Sequence, residues 1–100
     1  MAVFEILQSE TFLRWRSGLK DRMALARINA RVRRLADGNP GDTKLLREGV
    51  SELRIDHGPG YRVYFTRRGP VVLVLLMGGD KRTQDADIER AITMAKEWKD

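Results

Sequence analysis

Arg54 and Arg62 flank Gly58-Pro59-Gly60 in the stretch LRIDHGPGYRVYF. A guanidinium presents a fork of donors suited to bidentate contact with phosphate or carboxylate. Two of them on neighbouring strands therefore either grip an anion or form cross-strand pairs with acids, and Glu52 and Asp56 are there to pair with. Around them stand Tyr64, an aromatic of the kind on which unpaired RNA bases stack, and His57, a ring able to move a proton near neutrality. Lys81 adds a third cation just past the apolar run VVLVLLM.

The elements that must position these groups follow from periodicity. Ala2–Leu7 is rich in strand formers and reads as a buried strand. Ser9 suits the cap of a short helix carrying Phe12, Leu13 and Trp15, which Gly18 interrupts. A longer helix is expected from Leu19 to Ala36, with Leu25, Ile28, Val32 and Leu35 as its inward stripe and arginines on its other faces. Asp37-Gly38-Asn39-Pro40-Gly41 stops it. The period then changes to two: a strand with Val50, Leu53 and Ile55 inward and Glu52, Arg54 and Asp56 outward, the turn at residues 58–60, and a return strand Tyr61–Thr66. Val71–Met77 reads as a central strand covered on both faces. Gly78-Gly79-Asp80-Lys81 has the look of a phosphate loop but lacks the Walker spacing, and reads as a strand-ending turn. A last helix, Asp85–Trp98, carries Ile88, Ala91, Ile92, Ala95 and Trp98 on one face.

The expected fold class is α+β: two N-terminal helices and a C-terminal helix packed on a small, mainly antiparallel sheet, in one domain spanning residues 1–100. Helices on one face leave the other free. If Leu53, Ile55, Val63 and Phe65 face the helices, alternation places Arg54, Arg62 and Tyr64 on the open face.

The 100 residues carry a net charge of +5, which favours an acidic partner. Cysteine is absent and there is one histidine, so no metal-ligand set or disulfide framework is visible. No apolar run reaches the ~18 residues of a membrane span, and the start lacks the features of a signal peptide. A cytoplasmic protein without membrane, metal or cofactor is the expectation.

SELRIDHGPGYRVYF, followed by VVLVLLMGGDKRTQDADIERA, resembles the toxins of bacterial toxin–antitoxin modules. Within the RelE/ParE superfamily the chain is most similar to the HigB-like addiction module killer group. The resemblance spans nearly the whole chain, including the basic helical hairpin and the Lys44–Glu48 stretch. It implies a ribosome-dependent, metal-independent endoribonuclease that cuts mRNA and arrests translation. Arg62 of the GYR motif matches the family's phosphate-contacting strand arginine. Arg54 matches a basic position on the preceding strand, Lys81 a general acid, and His57 a group for proton transfer. Tyr64, Tyr61, Lys44 and Arg47 are the implied RNA contacts. Several ribonuclease members carry a Tyr or His near the C-terminus for the last proton transfer, and the tail after Lys81 has neither. The implied partners are a cognate antitoxin, the ribosome and mRNA, and operator DNA bound through the antitoxin. ParE-type relatives, which inhibit DNA gyrase without cutting RNA, supply the alternative.

Overall fold

Two capped helices and a period-two hairpin become three helices and five strands in the structure, a computed structural model that describes residues 2–99. The order is β1 (Glu5–Gln8), α1 (Glu10–Ser17), α2 (Arg22–Ala36), β2 (Thr43–Leu45), β3 (Val50–Ile55), β4 (Tyr61–Arg68), β5 (Val72–Gly79) and α3 (Gln84–Glu97), with a 3₁₀ turn at Lys81–Thr83 before α3. The strands form one mixed sheet ordered β1-β5-β4-β3-β2. Only β1 lies parallel to its neighbour, with Glu5 opposite Val72.

Ser9 ties the first strand to the first helix. Its hydroxyl accepts from the Phe12 N–H at 2.9 Å, capping α1, and donates to the Leu76 carbonyl of β5 at 2.5 Å. Asp21 caps α2 through the Met23 and Ala24 N–H groups, so this helix starts at Arg22 and not at Leu19. The helix ends at Ala36, and Gly38 just beyond it turns the chain away with a φ of 84° that glycine adopts without strain.

Three expectations are corrected. First, the sheet has a fifth strand. Thr43-Lys44-Leu45 shows no alternation of its own and becomes β2 by pairing with the free edge of β3, Lys44 opposite Glu52. β4 therefore holds the middle of the sheet, with β5 beside it. Second, neither sheet face is open throughout. Phe12, Ile28 and Leu35 from α1 and α2 pack on Leu53, Ile55, Val63, Phe65, Leu73 and Leu75. On the opposite face Ala91, Ile92 and Ala95 of α3 pack on Val50, Tyr64, Val74, Leu76 and Met77. An apolar helix stripe does not say which face it will cover, and α3 takes the face that the other two leave. Val50, an even-numbered residue, accordingly lies opposite Leu53 and Ile55, as strict alternation demands.

Third, Gly78-Gly79 is not a strand-ending turn: both glycines lie within β5, where they serve packing. The pairing of β4 with β5 shifts at Tyr64/Phe65, whose partners are Met77 and Leu75. This bulge puts both Leu76 and Met77 among the α3-side residues. Beyond it Gly78 faces α1 and Gly79 faces α3. A Cβ on Gly78 would overlap the Trp15 indole, and one on Gly79 would overlap the Asp87 carboxylate. Among the described residues no helix is long and apolar enough to cross a membrane.

Candidate functional site

Arg54 and Arg62 are direct cross-strand partners in the β3–β4 register. Their side chains point to the α3 side of the sheet, beyond the start of that helix, and Arg62 lies opposite Gly79 of β5, which has no side chain to crowd it. What lets two guanidiniums stand so close is Glu52, whose side chain is wholly buried between them. Arg54 Nε donates to Glu52 Oε1 at 2.8 Å, and Arg62 Nε lies 3.9 Å from Oε2. Gln84, at the first turn of α3, donates to Oε2 at 3.0 Å. The buried carboxylate is thus ringed by two cations and an amide, an arrangement that satisfies its charge without water. The Glu52 hydrogen bond raises the Arg54 guanidinium pKa, so that group stays a cation at any biological pH.

Lys81 joins them through the backbone. Its N–H donates to the Pro59 carbonyl at 3.4 Å, holding the segment after β5 against the β3–β4 turn. Gly60, at φ 79°, lets that turn close tightly, and its carbonyl accepts from Arg62 Nη1 at 2.9 Å. Arg54, Arg62 and Lys81 line one hollow of about 420 Å³ together with Asp42, Asp56 and residues of the turn. Arg62 is the deeper of the two arginines, with 13% of its side chain exposed against 35% for Arg54. Arg54 engages Glu52 through Nε, and its Nη1 lies 4.0 Å from Asp42 Oδ1, so the outer end of its fork meets the hollow beside that carboxylate. The cross-strand ion pair and the anion grip, alternatives when read from alternation alone, are compatible: Glu52 holds the guanidiniums from beneath and the hollow meets them from above.

The other sequence-derived site residues lie elsewhere. Tyr64 is fully buried beneath α3, so its ring offers no face to a base, because the helix covers the stretch expected to be open. Burial also pushes its hydroxyl pKa up, aided by the Glu52 charge, so it holds its proton at neutral pH. His57 turns to the other side of the sheet, where Nε2 lies 3.0 Å from Asp21 Oδ2, and it does not line the hollow. Tyr61 packs edge-on against Trp15, ring centroids 6.2 Å apart, on the α1 and α2 side. Lys44 is exposed on β2, and Arg47 forms an ion pair with Glu89 of α3; neither lines the hollow. Glu52, Asp42 and Gln84 went unassigned as site members. For Glu52 the signal is divided: Val50 and Tyr64 on its face are apolar, whereas Lys44 and Arg54 on the same face are charged.

No protein-family model matches the chain. A Haemophilus influenzae (strain ATCC 51907 / DSM 11121 / KW20 / Rd) protein, described as an uncharacterized protein, is 50% identical over 93 residues, covering 93% of this chain and 94% of the relative. The two chains belong to one family. Identity at that level over almost the full length means that the relative shares the fold described above.

Proposed function

We propose that the protein is an RNA-cleaving toxin of the RelE/ParE superfamily, HigB-like, which cuts mRNA on the ribosome and is restrained by a cognate antitoxin. The observation that carries this reading is the convergence of Arg54, Arg62 and Lys81 on one hollow at the end of the hairpin. In such cleavage the ribose 2′-oxygen attacks the adjacent phosphorus, the new O2′–P bond forms as the P–O5′ bond breaks, and a 2′,3′-cyclic phosphate results. Arg54 and Arg62 hold the phosphate and stabilise the charge that builds on its oxygens. Lys81 gives a proton to the departing O5′. The 2′-hydroxyl proton goes to a carboxylate of the hollow, Asp42 or Asp56, since the arginines stay protonated and His57 lies elsewhere. The cytoplasm is where such a protein meets its substrate, and the antitoxin carries the pair to operator DNA.

Brief induction in bacteria, followed by mapping of transcript 5′ ends, tests the reading. Wild-type protein yields new ends within translated codons, and Arg62→Ala lowers their abundance by about 10²–10³, the loss typical for one donor to a developing oxyanion. The second reading is a ParE-like inhibitor of DNA gyrase. It is favoured by the shallow exposure of Arg62, whose Nη1 is already bonded to Gly60. Intact transcripts together with double-strand DNA breaks establish that alternative and overturn the first.

A further inference from the structure

Helix α2 reads RMALARINARVRRLA: five arginines and no acidic residue. Its arginines do not all do the same work. Arg31 is structural, donating to the carbonyls of Arg54, Pro40 and Asp42 at 2.5, 2.9 and 3.2 Å, and burial lowers its guanidinium pKa. Arg27 and Arg34 are exposed, and neither has an ion-pair partner among the described residues. Seven residues apart, they fall about 20° from one another around the helix, on the same side as Arg31. With Ala30, Arg31, Ile55 and Asp56 they line a second hollow of about 310 Å³, between α2 and the end of β3.

Ile55 and Asp56 also line the hollow that holds Arg54, Arg62 and Lys81. The two basic surfaces thus meet at the end of β3, and Arg31 braces the joint by binding the Arg54 carbonyl. We infer that a single-stranded polyanion with regularly spaced charges, an RNA backbone, runs from the Arg54–Arg62–Lys81 hollow over the end of β3 and along the Arg27–Arg34 side of α2. This rests on the phosphate-gripping reading of the first hollow and extends its footprint to flanking phosphates. Continuity favours RNA over an acidic polypeptide, because one strand can occupy both hollows with the same repeating group. Asp56 sits at the junction as an opposing charge, next to both hollows, and weakens the track at that point.

The test uses the whole protein with fluorescent oligouridylates of three and twelve nucleotides, titrated over a series of salt concentrations. The probe for the other macromolecule class is poly-glutamate. In Arg27→Gln/Arg34→Gln the log–log salt slope for the twelve-mer becomes shallower by about 1.4, two single-strand contacts at ~0.7 each, while the three-mer binds as to wild type. Arg22→Gln/Arg33→Gln removes equal charge from a side of the same helix about 140° away and leaves the twelve-mer slope as it was. Asp56→Asn tightens the twelve-mer. An unchanged slope in the first variant, an equal loss for both oligonucleotides, or an equal loss from both double variants overturns the track. So does a loss of poly-glutamate binding as large as that of RNA, which would assign the surface to an acidic protein. Failure of the underlying reading looks different: three-mer binding that is absent, or indifferent to Arg62→Ala, with the twelve-mer slope still read independently.

Discussion

A wholly buried carboxylate beneath two guanidiniums makes Glu52 the residue on which the site's geometry depends most. Removing it leaves Arg54 and Arg62 facing each other with their shared counter-charge gone. Removing one partner from a buried ion pair destabilises by about 3–5 kcal/mol. Glu52→Ala should therefore lower stability by roughly that amount, read from the midpoint of urea unfolding. Arg62→Ala should be milder by at least half, because Arg54 and Gln84 still satisfy the carboxylate. Equal losses from the two substitutions would mean that Glu52 is not the hub. The arginines themselves are legible from alternation and turn chemistry. The carboxylate is harder to read, since a glutamate in a strand ordinarily signals water, and its same-face neighbours are split between the apolar Val50 and Tyr64 and the charged Lys44 and Arg54.

At the level of elements, β5 is pressed by a side chain from each helical layer at two adjacent glycines. Gly78 touches the Trp15 indole of α1 and Gly79 the Asp87 carboxylate of α3, and Thr83 donates its hydroxyl to that carboxylate at 2.5 Å. A methyl at Gly78 meets a rigid ring, whereas one at Gly79 meets the end of a side chain able to rotate away. Gly78→Ala should lose about 1–3 kcal/mol to overpacking, and more than Gly79→Ala does; thermal unfolding of the two variants side by side checks the order. The hairpin and all three helices are visible as periodicity. What periodicity omits is the third dimension. It does not tell that α3 takes the far face and hides Tyr64. A three-residue edge strand such as β2 exists only because β3 offers it a partner, and a bulge that redirects Gly78 and Gly79 leaves no mark in composition.

For the whole molecule, three acid–base contacts contribute to the response to acid. The His57 hydrogen bond holds the Asp21 carboxyl below its ordinary value of 3.8, Lys96 holds Glu48 below 4.5, and Arg82 holds Asp80 below 3.8. Two of them join separate parts of the chain: Asp21–His57 links the start of α2 to the hairpin turn, and Glu48–Lys96 links the loop before β3 to α3. A carboxyl whose folded pKa is depressed adds stability that is complete above its unfolded value and fades as pH falls through the folded one. The urea midpoint should accordingly stay level near neutrality and fall from about pH 5 towards pH 2. Asp21→Asn with Glu48→Gln should make that fall shallower. A fall of unchanged steepness in this double variant would place the acid sensitivity in other groups.

The parallel seam between β1 and β5 has a bearing on how the molecule comes into being. Glu5 waits for Val72, and the Ser9 hydroxyl that starts α1 waits for Leu76, 67 positions downstream. Closing such long loops is slow work for a chain, and Lys81 reaches the hollow on the segment that follows β5. A nascent chain halted before β5 therefore carries Arg54 and Arg62 without Lys81, so the three-cation hollow is complete only after β5 and the segment beyond it have been made.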